Sequence, residues 1–99
     1  QNIYDVGGNV FYVMAYNSRY SHLNIRANYL NLGYFKTKMT ETSLNDPTLY
    51  KERKDRIILS RWGEKHEILG PVCFLLSDAS SYITATGINV DGGWRSKAL

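Results

Sequence analysis

Cysteine is nearly absent from this chain. Cys73 stands alone, so no internal disulfide can brace the fold, and a reducing compartment suits it. Its place in the apolar run Val72 to Leu76 predicts a buried, inert thiol. Histidine is scarce as well: His22 and His66 have no Cys or His at zinc-ligand spacing, which leaves both as surface residues and no metal site to read. No apolar run approaches the roughly 20 residues that cross a bilayer, and no basic-then-apolar signal stretch opens the chain. The expectation is a cytoplasmic protein without a membrane partner. Clustered positive charge is missing too. The net charge of +3 is spread over the chain, and the densest run, Lys51-Glu52-Arg53-Lys54-Asp55-Arg56, interleaves both signs. That pattern suits a solvated helix face with ion pairs three and four residues apart, not a nucleic-acid surface. An initiating Met is lacking: Gln1 opens the sequence, which reads as a piece of a longer protein or a processed product.

What is present is the composition of an ordinary globular chain, 43% apolar and 21% charged, which excludes a disordered segment. Ninety-nine residues make one domain with a thin core.

Residues 1–8 are polar, end in Gly7-Gly8 and read as loop. Asn9 is placed to cap a helix starting at residue 10. Residues 10–16 are almost unbroken in apolarity, so periodicity does not separate a buried helix from a buried strand. The reading favoured here is a helix over about 9–22, with Arg19 and His22 in its last turn. Residues 24–32 alternate apolar and polar, a strand that Gly33 ends. Residues 33–46 are loop or short irregular helix. Asp46-Pro47 is a strong helix start, Asp as cap and Pro at the first position, and Leu49, Ile57 and Ile58 give that helix a modest apolar side. Arg61-Trp62-Gly63 breaks the chain, and Glu64 opens another helix. Ile68, Leu69, Val72, Cys73, Leu75 and Leu76 recur at three- and four-residue steps along it. Pro71 should kink it. Ile88-Asn89-Val90-Asp91 is a short strand closed by Gly92-Gly93. Two strands joined by a helical crossover in one sheet are parallel. Two strands do not make a stable sheet in water, so the organisation is that of the edge of a larger α/β sheet.

Three segments carry a resemblance. Gly33-Tyr34-Phe35-Lys36-Thr37-Lys38-Met39-Thr40 resembles the stretch after the sixth sheet strand of short-chain dehydrogenases. Residues 61–84 are similar to that family's last long helix and the loop after it. Ile88 to Trp94 is similar to its final strand and terminal glycine pair. Order and spacing agree over residues 24–94, and the branch most similar is that of sugar-acid dehydrogenases, with acyl-carrier reductases sharing much of the pattern. The resemblance implies an α/β fold, the carboxyl-terminal flank of a Rossmann-like parallel sheet with covering helices, as one partial domain over residues 1–99. It implies an NAD(P)-dependent oxidoreductase, with NAD or NADP as cofactor and a small hydroxyl or ketone substrate such as a sugar acid. Gly33, Phe35 and Thr37 would be nicotinamide contacts: glycine lets backbone pass close to a flat ring, while main-chain groups at Tyr34 and Phe35 and the Thr37 hydroxyl can bond a carboxamide. Residues 38–58 correspond to the family's substrate loop, with Met39, Leu44 and Tyr50 able to line it. In the family the last long helix and last strand build a tetramer interface, so residues 68–76 and 88–91 would be a homo-oligomer surface.

The sequence also departs from the family. The family's tyrosine and the lysine four residues later share one helix face, where the cation lowers the phenol's pKa. That tyrosine should fall near residues 1–4. Tyr4 is the only candidate, and Gly8, not lysine, stands four later. The glycine-rich turn that cradles a pyrophosphate is absent. Leu32 replaces the usual proline, and Gly87 lies two places late. The expectation is a chain inactive alone, or, in a different class, a non-catalytic oligomerisation module derived from that family.

Overall fold

The computed structural model describes residues 2–5, 10–16 and 25–97. Its strands are β1 (Asn2–Asp5), β2 (Val10–Tyr16), β3 (Ile25–Leu32) and β4 (Gly87–Val90). Its α-helices are α1 (Glu41–Leu44), α2 (Pro47–Asp55), α3 (His66–Leu76) and α4 (Trp94–Lys97), with single 3-10 turns at Lys38–Thr40 and Asp78–Ser80. The described strands form one sheet in the order β1-β2-β3-β4.

The strand over 24–32 and the strand at 88–91 are there as expected. β3 and β4 run parallel, Leu30 opposite Ile88 and Leu32 opposite Val90, with three helices between them in the chain. The class is α/β. The amino-terminal part corrects the sequence reading. Residues 10–16 are strand β2, not a helix over 9–22, and part of the supposed loop 1–8 is strand β1. Both join antiparallel, β1 to β2 and β2 to β3, so the sheet is mixed. Asn9, Arg19 and His22 lie outside the described residues. Composition gives the physical reason for the strand. Val10, Phe11, Tyr12, Val13 and Tyr16 are β-branched or aromatic and fit a pleated, half-buried surface. Opposite β3, alternate residues of β2 turn inward: Val13 and Ala15 are buried, Tyr12 and Tyr16 exposed.

α3 covers one face of this sheet. Leu75 packs with Val13, Leu30, Leu32 and Phe35, and Ile68, Val72 and Leu76 close around them. The buried stripe therefore runs 68, 72, 75, 76. Cys73 faces away from it and is exposed, contrary to the buried thiol expected. α3 holds Pro71 in its interior and still reaches Leu76, since the ring removes a single donor from the ladder. Beneath the end of α3, Arg26 of β3 is only 8% exposed with its guanidinium among the carbonyls of Leu75, Ser77 and Ser80. A helix carboxyl end offers unpaired carbonyls and partial negative charge, so a buried cation is tolerated there.

α2 starts as its sequence dictates: the Asp46 carboxylate accepts from the amides of Thr48 (3.0 Å) and Leu49 (3.2 Å). It ends at Asp55, so Ile57 and Ile58 lie beyond the helix instead of forming its apolar side. Ile57 re-enters the core and Ile58 is exposed.

Candidate functional site

The chain leaves β3 at Gly33 and runs straight into a loop stitched to two other segments. Gly33 N donates to Val90 O (2.9 Å), holding the loop to the end of β4. Gly63 N donates to Tyr34 O (2.8 Å) and Lys36 N to Gly63 O (2.9 Å), holding it to the turn before α3. Gly33 is needed for close approach: a Cβ there would stand 2.7 Å from Cβ and 2.8 Å from Cα of Asp91. Gly63 is needed for the same reason, since a Cβ would press into the Phe35 ring at 2.5 Å.

Asp91 fixes the far wall. Its carboxylate accepts from Gly93 N (2.9 Å) and Arg95 N (3.3 Å) and pairs with the Arg95 guanidinium at 3.0 Å. Burial pushes the Asp91 carboxyl up, but those two amides and the Arg95 cation outweigh it and leave the group below its ordinary range. The bonds hold the Gly92-Gly93 turn, where both residues have positive φ, 61° and 90°.

Between these walls, at the carboxyl ends of β3 and β4, lies a cavity of about 480 Å³ lined by Tyr34, Phe35, Leu59, Arg61, Glu67 and the glycine turn among others. The carboxyl ends of parallel strands are where open α/β sheets bind ligands. Arg61 and Glu67 form a two-pronged pair (2.7 and 2.8 Å), and Glu67 also accepts from Glu64 N. The Arg61 guanidinium, with that amide, draws the Glu67 carboxyl down to about 2. Lys36 pairs with Glu64 at 3.0 Å, which holds its ammonium above the usual lysine value.

The structure brings Gly33, Phe35 and Thr37 onto this one loop. Phe35 is buried on the cavity wall, Gly33 packs on Asp91, and Thr37 begins the turn into α1. Thr37 N donates to Thr40 Oγ1 (2.9 Å), and Thr40 Oγ1 donates to Phe35 O (2.5 Å), with the Thr37 hydroxyl 3.3 Å from that of Thr40. The amides of Gly33, Lys36 and Thr37 are thus used. Those of Tyr34 and Phe35 donate to no group among the described residues. Two adjacent free amides beside a threonine hydroxyl fit a planar carboxamide, which needs donors for its oxygen and an acceptor for its NH₂. Tyr4 stands apart from this loop. It lies in β1 opposite Tyr12, two strands from β3, so its backbone stands roughly 9–10 Å across the sheet and well along it from Gly33.

Sequence reasoning passed over the rings of Tyr34, Trp62 and Trp94, the Arg61–Glu67 pair and the anchoring carboxylate of Asp91. None had a local signal, because each is defined by partners from another segment.

Comparison with known proteins gives the chain its family. Residues 12–95 match the family described as enoyl-(acyl carrier protein) reductase. The chain is 41% identical over 71 residues to a 2-dehydro-3-deoxy-D-gluconate 5-dehydrogenase of Escherichia coli, covering 72% of this chain and 28% of that protein. It is 41% identical over 69 residues to an L-rhamnose-1-dehydrogenase of Scheffersomyces stipitis, covering 70% and 27%. Among solved structures, a putative 2-deoxy-D-gluconate 3-dehydrogenase of Agrobacterium tumefaciens with bound NADP superposes with a TM-score of 0.70 at 37% identity, over 72% of this chain and 29% of that one. A gluconate 5-dehydrogenase of Burkholderia cenocepacia in complex with NADP and tartrate gives 0.69 at 34%, over 72% and 28%. The chain spans less than a third of the length of these relatives. Over that span, sequence and fold agree: the chain belongs to the short-chain dehydrogenase/reductase family.

Proposed function

We propose that residues 33–37 form the nicotinamide-side loop of an NAD(P)-dependent oxidoreductase acting on a sugar acid or a similar hydroxyl or ketone substrate. The observation that carries this reading is the pair of undonated amides at Tyr34 and Phe35 beside the Thr37 hydroxyl. Relatives named as sugar-acid dehydrogenases, and solved relatives holding NADP or NADH, support it. The bound nucleotide supplies or accepts hydride. The chain's own part is to fix the carboxamide with Tyr34, Phe35 and Thr37, to keep Gly33 close enough to Asp91 for the loop to pass, and to cover the site with residues 38–58. A proton-transfer pair on one helix face is not among the described residues. Tyr4 is the candidate acid this chain offers, and residues 1–99 act as one partial domain that does not turn over alone, in the cytoplasm.

The test is a titration with reduced nicotinamide mononucleotide followed by amide NMR. The Tyr34 and Phe35 resonances should shift saturably, and Thr37→Val should weaken binding about tenfold, near 1.4 kcal/mol. Shifts confined to other residues would discard the loop's role. Incubation with NADPH and gluconate-type substrates should give no protein-dependent change in nicotinamide absorbance; any saturable change would overturn the inactive reading, and its loss in Tyr4→Phe would establish Tyr4 as the acid.

One observation favours a second reading, a non-catalytic oligomerisation module working through residues 68–76 and 88–91. Leu69 (61% exposed), Cys73 and Phe74 (38% exposed) line the outward side of α3, and β4 has a strand neighbour on one side only among the described residues. Apolar side chains and an open strand edge favour association. Light scattering on the purified chain decides it, a stable monomer at high concentration counting against the homo-oligomer.

A further inference from the structure

Segment 38–55 holds to the rest of the molecule by very few contacts. Neither α1 nor α2 buries a residue. What ties α2 to the body are rings. Tyr50 of α2 stacks on Trp62, centroids 5.6 Å and planes 23° apart. Trp62 in turn meets Tyr34 at 5.2 Å, and Arg53, one turn beyond Tyr50 on the same side of α2, lies over the Tyr34 ring at 5.0 Å. Tyr34 presents its other contact edge-on to Trp94 at 5.8 Å and also lines the cavity. Two residues of α2 therefore grip two rings, one from the loop after β3 and one from the turn before α3.

Trp62 sits at the centre of this junction and is 1% exposed. Its indole Nε1 is buried with no hydrogen-bond partner among the described residues. Buried indoles usually find an acceptor. One kept without it is held for the area and shape of its ring, and here that ring touches a residue of α2 on one side and the carrier of a free amide on the other.

We propose that Trp62 is a positioning residue: it clamps α2 through Tyr50 and the 33–37 loop through Tyr34, so that order in segment 38–55 and the geometry of the loop's amides change together. Two elements that share one rigid partner are coupled, and whatever orders one favours order in the other. The link to a nicotinamide rests on the reading given above for residues 33–37. The clamp itself rests on the rings.

Trypsin reads the clamp without any cofactor. Lys38, Lys51, Arg53, Lys54 and Arg56 are cleavage points in or beside the segment, while Arg26, 8% exposed in β3, reports opening of the whole domain. Tyr50 is half-buried on a helix that buries nothing, so Tyr50→Ala removes the stack on Trp62 and leaves the cluster around Leu30 and Leu75 intact. Cleavage between 38 and 56 should rise at least about tenfold with Arg26 unchanged, as expected for a locally opened unit. The Tyr34 and Phe35 amide resonances should move in the same variant, which a merely looser helix would not produce. Trp62→Phe, which keeps one ring but loses the rest of the indole's stacking area, should raise segment cleavage in the same direction as Tyr50→Ala, by a smaller factor. The clamp is overturned if Tyr50→Ala leaves segment cleavage unchanged, raises it equally at Arg26 or leaves both amides in place. It is equally overturned if Trp62→Phe leaves segment cleavage at the wild-type level. Should wild type give no Phe35 shift with nicotinamide mononucleotide while Tyr50→Ala still opens the segment, the cofactor reading falls and the clamp stands.

Discussion

Two halves of this small molecule are held together by different physics. In the sheet and α3, Leu30 and Leu75 are 0% and 1% exposed, and every inward position of β3 is closed. In segment 38–55 the two α-helices have no buried residue, and stability comes from a capping carboxylate, exposed ion pairs and rings that reach across to Tyr34 and Trp62. Buried apolar area resists local opening, whereas a handful of directional contacts permits it. Under the proposed function, a segment that covers a bound ligand needs the second kind of construction on top of the first.

The sharpest break of that contrast is Leu30→Ala. It should lower unfolding free energy by about 2–5 kcal/mol in a denaturant titration, since a fully enclosed site cannot collapse around the void. A loss no greater than that of a substitution on α2 would erase the distinction. Next comes Gly33→Ala, where the added methyl meets Asp91 and the junction of β3 with the loop must shift; about 1–3 kcal/mol should be lost in thermal melting. Asp46→Ala removes the cap of α2 and about 1 kcal/mol of helix stability, visible as faster amide exchange over 48–55 with an unchanged global midpoint. The smallest effect is on pH. Glu67 is depressed when folded, so its pairing with Arg61 contributes fully above about 4.5 and fades as the pH falls toward about 2. Glu67→Gln should flatten the acid limb of the stability curve over that window, modestly because the pair is exposed.

Much of the body was legible in the sequence, and the reasons are local. The alternation over 24–32, the Asp46-Pro47 start and the three- and four-residue steps of residues 68–76 each reflect a periodicity that the backbone obeys wherever it folds. Residues 10–16 failed because an unbroken apolar run has no period, and partner pairing with β3 decided in favour of a strand. Cys73 failed because an apolar helix has apolar residues on both sides, and the sheet covers only one. For the proposed site, Gly33, Phe35 and Thr37 entered only through the family resemblance, while Trp62 and Asp91 gave no local signal at all.

By itself the sequence determined the strands near 25–32 and 87–90, the capped start of α2 and the apolar steps of α3, and its motifs carried the resemblance to the family. Tertiary structure alone decided which amides remained free, which rings met, and that Arg26 is buried under the end of α3. The reason is range: helix caps and alternation act over a few residues, whereas Tyr50 and Trp62, or Gly33 and Asp91, become neighbours only after the sheet has brought distant segments together.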